Sequence, residues 1–316
     1  MPANRLSSAL QTRRFPSSVI KGPALMIGSA LLFAVTDVII KMIGPAFRVW
    51  DIAFFRFGGG IVLMLVLFGW FGNLFKGSNT RLLIVRGISG AMAFLALVCA
   101  IQLLPLSSAI VILYSFPAFA ALFSAVIFNE RISILQVVCI FGTLAGVAIL
   151  LDFSPKGNLL GQVIALLAGM FAGIAVCLIK KLRENNGPVI IYFYFCLVGG
   201  VMAFPAFIAG PRLPASAGSS LLVLIMVLIF LGAQLLMNQG FKYCRSWEGG
   251  LFLSSETLFT SIAGICFLGD PVTWHFWTGG AMIVGSVVVL NMAVPKSGSS
   301  PGMTAGTPLS PPLKNE

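Results

Sequence analysis

Phe128-Asn129-Glu130-Arg131 and Leu268-Gly269-Asp270-Pro271 stand about 140 residues apart, and in each an apolar residue and an acid close a long apolar run. Working outward, the same shift lays Lys41 on Lys181, Gly59 and Gly60 on Gly199 and Gly200, and Ala109 on Gly249. It also lays Val147 and Leu150 on Val287 and Leu290. Each copy holds an odd number, about five, of membrane-length apolar segments, so the second copy must enter the bilayer from the opposite face. The reading is an all-α integral membrane protein, with ten transmembrane helices arranged as two inverted five-helix repeats.

Composition supports membrane residence. The chain is 58% hydrophobic and 9% charged, with a mean hydropathy of +1.01, whereas an ordinary soluble domain carries about 25% charged residues. The apolar runs are too long and too little alternating for barrel strands. Spans are predicted near 24–43, 52–71, 86–104, 107–128, 135–151, 159–179, 188–208, 221–243, 249–268 and 274–294. The first repeat occupies 23–152 and the second 157–294. A basic tail over 1–22 precedes them, and a Ser/Gly/Pro-rich tail over 295–316, expected to be disordered, follows.

A net charge of +11 raises the question of nucleic acid, but the basic residues lie between apolar spans and form no groove-sized patch. They report topology instead. With the N-terminus in the cytoplasm, only Lys41, Arg48, Lys156 and Arg212 fall outside, Arg56 falls within a span, and the remaining Lys and Arg, Arg86 among them, fall inside. Both termini are therefore predicted to be cytoplasmic, in a bacterial-type inner membrane. The cysteines are dispersed through apolar spans without metal-ligand spacing, which suits small core residues. Neither a phosphate loop nor a zinc motif is present, so no metal or cofactor is expected.

Small residues recur where helices must approach closely, as at Gly142 with Gly146, Gly169 with Gly173, and Gly279 with Gly280. The same spacing would serve a homodimer or packing within one chain. Glu130 and Asp270 each precede a new helix, where an acid is favourable against the N-terminal dipole. Trp50, Trp70, Trp247, Trp274 and Trp277 sit near span ends, as headgroup-level anchors do. Phe54-Phe55 and Tyr192-Phe193-Tyr194-Phe195 read as packing or lipid-facing residues. Pro117 lies deepest among the prolines, where it frees a carbonyl and could shape a cavity.

The most informative positions are those where the two copies differ in charge. Asp37 aligns with Cys177, Arg56 with Cys196 and Glu256 with Phe116. Asp or Arg at mid-bilayer costs about 2.5–3.5 kcal/mol on insertion scales, so a partner charge, a water-filled cavity or a substrate must offset it. Asp37 and Lys41 share a helix face four residues apart, and an ion pair from Asp37 to Lys41 or Arg56 competes with a role in binding substrate or protons. Glu256 lies mid-span with no basic residue a turn away. Gln234 and Asn238 share a face of the preceding span, so the acid either couples to substrate and protons or hydrogen-bonds one of these amides. Burial disfavours a carboxylate's charged form, which makes reversible protonation the chemistry this position suggests. Tyr114, three residues before Pro117, needs a partner for its hydroxyl and is a candidate cavity-lining residue.

These stretches resemble the drug/metabolite transporter superfamily, in its EamA-type branch. The resemblance rests on Leu31–Lys41, Phe54–Arg56, Arg86–Gly87, Leu104–Ala109, Phe128–Ser133 and Gly142–Gly146. It implies a central cavity bounded by the third, fourth, eighth and ninth spans, with help from the first and sixth. Tyr114, Gln234, Asn238 and Glu256 would lie nearest the substrate. The Asp37, Lys41 and Arg56 pattern resembles members that carry S-adenosylmethionine or similar charged metabolites. The expected function is a secondary active transporter that moves a small polar, charged or zwitterionic metabolite by alternating access. A scaffold or channel is the alternative. An enzyme is not expected, because the sole histidine, His275, stands at a predicted outer boundary without a nucleophile or metal partner.

Overall fold

The computed structural model describes residues 17–69, 73–128, 134–150, 158–244, 246–270 and 273–293. Glu130, Arg131, Trp70, Pro271 and both predicted tails beyond these ranges lie outside the described residues, as does the Trp247 side chain. Among the described residues the elements are twelve helices: α1 Ser17–Ile43, α2 Val49–Phe68, α3 Thr80–Leu103, α4 Leu106–Leu113, α5 Phe116–Phe128, α6 Ile134–Leu150, α7 Leu159–Leu182, α8 Pro188–Ile208, α9 Ala217–Gly240, α10 Ser246–Leu253, α11 Ser255–Leu268 and α12 Trp274–Ala293. Six of them (α1, α2, α3, α7, α8 and α9) are long and apolar enough to cross a membrane.

Two predicted spans are broken. The fourth splits at Tyr114-Ser115 into α4 and α5, and the ninth splits at Ser254 into α10 and α11. Pro117 accounts for the first break, since its ring cannot continue a helix from the preceding turn and it sits in the first turn of α5. The second break falls at the repeat-related place without a proline.

Helix packing is reciprocal between the halves. α1 packs on α9 as α7 packs on α3, α2 lies against α8, and α6 lies against α12. α5 meets α7 as α11 meets α1, and α4 meets α7 as α10 meets α1. Glycines permit the closest approaches. A Cβ on Gly146 would lie 2.8 Å from the Gly279 carbonyl oxygen, and one on Gly60 would lie 2.7 Å from Cys196 Sγ. Gly199 is packed in the same way against the Phe57 ring.

These contacts correct the register. Lys41 Nζ donates to the carbonyls of Ile101 at 2.7 Å and Leu104 at 2.6 Å, at the C-terminal end of α3. The residue doing the same work in the second half is Lys180, which donates to Phe241 O at 3.1 Å and Cys244 O at 2.8 Å beyond the end of α9. Lys181 instead forms an exposed ion pair with Glu184. Lys41 therefore corresponds to Lys180, one residue before the sequence match, and the Gly60–Cys196 and Gly199–Phe57 contacts obey the same shorter shift. Under it Asp37 corresponds to Val176 and Arg56 to Phe195.

Asp270 is placed differently from the sequence expectation as well. Gly269, at φ +67°, ends α11 in the left-handed region that glycine adopts without strain. The turn carries the Asp270 carboxylate to the start of α4 in the other half, where Oδ2 accepts from Ser107 N and Ser107 Oγ, both at 2.8 Å. Asp270 thus caps a helix of the opposite repeat rather than its own successor.

Candidate functional site

Where the two broken helices face each other, a cavity of about 140 Å³ opens among α1, α3, α4, α7, α9 and α11. About 10–15 Å³ accommodates one water, so the space holds on the order of ten waters or a solute of similar atom count. α2 and α8 contribute one residue each, Arg56 and Phe195, which adds two helices to the boundary the family resemblance implied.

An acidic pair is part of its lining. Glu256 projects from the first turn of α11 and Asp37 from the later part of α1; both are about 5% exposed. Their side chains are neighbours in the cavity wall. The break at Tyr114 turns its hydroxyl inward, where Oη donates to Glu256 Oε2 at 2.8 Å. The fold therefore gives Glu256 a phenol as partner and a second acid as neighbour rather than Gln234 or Asn238.

Two guanidinium groups line the same cavity. Arg56, 1% exposed, has its guanidinium carbon 3.4 Å from the Phe230 ring centroid and 3.6 Å from that of Phe94, so two rings pack against it. Arg86, 2% exposed, lies 4.1 Å from the Phe195 centroid and donates through Nη2 to Gln234 Oε1 at 3.3 Å. Nε and Nη1 of both arginines find no protein acceptor among the described residues, and neither forms an ion pair there. Asp37 Oδ2 is likewise without a donor.

The structure thus brings Asp37, Arg56, Tyr114, Gln234 and Glu256 into one cavity. It does not bring Lys41 or Asn238 there. Lys41 holds the end of α3. Asn238 is buried near the end of α9, where its Nδ2 points to Pro188 O at 3.4 Å. An ion pair from Asp37 to Lys41 or Arg56, one of the two alternatives the sequence leaves open, is not formed among the described residues. Arg86 was assigned to the inner loop charges, yet α3 begins at Thr80 and buries it in the cavity wall. Phe195, read as packing or lipid-facing, lines the cavity beneath both arginines. The signal that could have found Arg86 is Asn79, whose side chain caps α3 at Leu82 N and so moves the helix start upstream.

Comparison with known proteins places these features in context. The model of the EamA-like transporter family matches residues 20–152 and again 159–292. The pseudopaline exporter CntI of Pseudomonas aeruginosa (strain UCBPP-PA14) is 27% identical over 283 residues, covering 85% of this chain and 95% of that protein. Solute carrier family 35 member G1 of Homo sapiens is 24% identical over 303 residues, covering 88% and 82%. An S-adenosylmethionine uptake transporter of Rickettsia bellii is 26% identical over 200 residues, covering 60% and 67%. A solved crystal structure superposes with a TM-score of 0.63 at 17% identity, covering 89% of this chain and 99% of that one, and this likeness concerns the fold.

Proposed function

We propose, from the premise that this chain belongs to the EamA-like transporter family, that it is a secondary transporter for a small charged or zwitterionic metabolite, working by alternating access. The observation that carries the reading is the charged, buried cavity at the meeting point of two interrupted helices. Interrupted membrane helices leave polar backbone and charged side chains away from lipid only where they line a solvated site, and in repeat-built transporters such sites lie near the bilayer midplane. α4/α5 and α10/α11 would each cross once, and α6 and α12 would cross as well, which brings the crossings to ten and makes the halves inverted repeats, with both termini in the cytoplasm of a bacterial-type inner membrane.

Reciprocal packing supplies the mechanism. Because α1 leans on α9 and α7 on α3, each half can rock against the other about the cavity, exchanging one set of end contacts for its repeat-related set. Asp37 and Glu256 provide carboxyl groups for which a proton and a cationic group would compete, and proton coupling through them is part of this proposal. The charged groups serve binding, and no nucleophile–base arrangement for enzymatic chemistry is assigned to them.

The test is counterflow in proteoliposomes with purified protein. Saturable exchange of a labelled metabolite is expected. Flux that stays linear with concentration would favour a channel, and no flux for any solute that binds would favour a scaffold.

A further inference from the structure

We infer that the contact between Asp270 and Ser107 is a releasable latch that holds one face of the protein shut, and that the two halves hinge about the α2–α8 seam when it opens. The need to open rests on the transport reading; the contacts do not.

The seam is pinned at both ends. α2 and α8 belong to different halves and pack on each other and on α3 and α9. At one end the Asp51 carboxylate, held by Arg48 through Nε at 3.0 Å and Nη2 at 2.8 Å, also accepts from Arg212 N at 3.4 Å, and the Phe54 ring stacks on Phe207 with centroids 4.0 Å apart. At the other end Ser78 N donates to Asn186 Oδ1 at 2.7 Å, Asn186 Nδ2 donates back to Ser78 O at 3.0 Å, and Tyr194 Oη donates to Phe75 O at 2.9 Å. Asp51 and Asn186 are buried, so parting the seam at either end would break several bonds at once and strand a polar side chain.

The other side closes differently. α4 and α11, also from different halves, meet each other and pack on α7 and α1. The turn between α3 and α4 is clamped by two opposite charges: Lys41 holds the last carbonyls of α3, and the Asp270 carboxylate holds the first groups of α4. The helix dipole favours a cation at the one end and an anion at the other. Lys41 belongs to the same half as the turn and travels with it. Asp270 belongs to the opposite half, so its bonds to Ser107 must break if the halves part here. Gly269 gives it room to swing: its φ is +67°, and a Cβ there would meet nothing within 4 Å. Both groups stand at a span end, where water can take up the carboxylate and the α4 N–H. At its far end α4 is gripped again by the second half, through Tyr114 Oη and Glu256 Oε2. Release of the latch therefore frees a helix that forms part of the cavity wall.

The experiment reads opening directly and uses no substrate. Leu113, in the cavity wall on α4, is changed to Cys in a chain whose two cysteines that are not buried, Cys99 and Cys266, are replaced by Ala. A membrane-impermeant maleimide is applied to intact cells and, separately, to inverted vesicles, and modification at position 113 is followed by peptide mass spectrometry. Asp270→Ala should raise the rate at least threefold, and only from the side that also labels Thr273→Cys beside the latch. Ser107→Ala, which keeps the backbone donor, should raise it less. Asn186→Ala, at the pinned seam, should stay within twofold of the parent. Asp270→Asn replaces Asp270→Ala if the latter lacks a single melting transition. An unchanged rate in the folded Asp270 variant, a rise of equal size from both sides, or an equal rise in Asn186→Ala overturns the inference. The transport reading fails separately: a parent chain that shows this labelling pattern but no counterflow removes that reading alone, and saturable counterflow with unchanged labelling removes the latch alone.

Discussion

Replacing Lys41 by Met tests whether this lysine ties helices together or handles substrate. Its ammonium donates at 2.7 and 2.6 Å to two carbonyls at the end of α3, where the helix dipole also favours a cation. Hydrogen bonds to charged groups contribute about 1.5–3 kcal/mol each. Because Lys41 is only half-buried, the sum is halved, to about 1.5–3 kcal/mol for Lys41→Met. Met retains the apolar stem, so little packing is lost. Lys180→Met, with longer bonds of 3.1 and 2.8 Å, should cost about 1–2 kcal/mol. Lys181→Met breaks only an exposed ion pair and should stay within about 1 kcal/mol of the parent. Lys41 and Lys180 share no partners, so their effects should add. Unfolding titrations in mixed micelles measure all four proteins. If Lys41→Met leaves stability unchanged while ligand affinity falls, the lysine serves the substrate and the helix-tie argument is wrong. If Lys181→Met costs more than Lys180→Met, the corrected register is wrong.

Gly146→Ala should destabilise by about 1–3 kcal/mol, since the new methyl meets the Gly279 backbone oxygen, which cannot move aside; Gly250→Ala, whose Cβ would meet Phe116 and Pro117 only at 3.6 Å, is the near-neutral control, and the same micelle titration compares them. Asp270→Ala removes two hydrogen bonds at the start of α4 and should cost about 2–4 kcal/mol, with amide exchange around Ser107 rising first. Tyr114→Phe deletes the phenol bond to Glu256 and should cost about 1–2 kcal/mol while altering the pH dependence of ligand binding; an unchanged pH profile would detach Tyr114 from the acidic pair.

The parts of the fold legible in the sequence were those set by large, additive costs. A carboxylate or guanidinium inside an apolar run is expensive enough that Asp37, Arg56 and Glu256 marked the cavity without any structure, and the duplicated acidic run-ends at Glu130 and Asp270 marked the repeat. Finer placements depend on a single residue of register or a single turn of helix. Lys180 and Lys181 are adjacent and chemically identical, so only the carbonyls of Phe241 and Cys244 distinguish which one matches Lys41. Arg86 opens an apolar run on the side rich in basic residues, and there a topological charge and a buried one look the same. Gln234 and Asn238 share a face, but one turn of helix along α9 separates the cavity wall from the contact with Pro188.

The charged residues that break the repeat do so across a symmetric cavity, and this explains its polarity. Under the structural register, Asp37 corresponds to Val176 and Arg56 to Phe195, and these four residues line the same space; Glu256 corresponds to Pro117, the residue that breaks the other half's helix. Asp37 and Arg56 therefore share the cavity with the apolar residues that match them in the other half. A fully symmetric pocket would bind a ligand in two equivalent orientations. Here the acidic pair draws one carboxyl group from each half, while Arg56 and Arg86 both come from the first, so a dipolar ligand has a single favourable orientation. A ligand bound that way would reach Glu256 of the second half and the arginines of the first at once. Under the alternating access proposed above, rocking of the halves would change the geometry of one continuous set of contacts, and that is the condition under which binding energy can be coupled to the switch between faces.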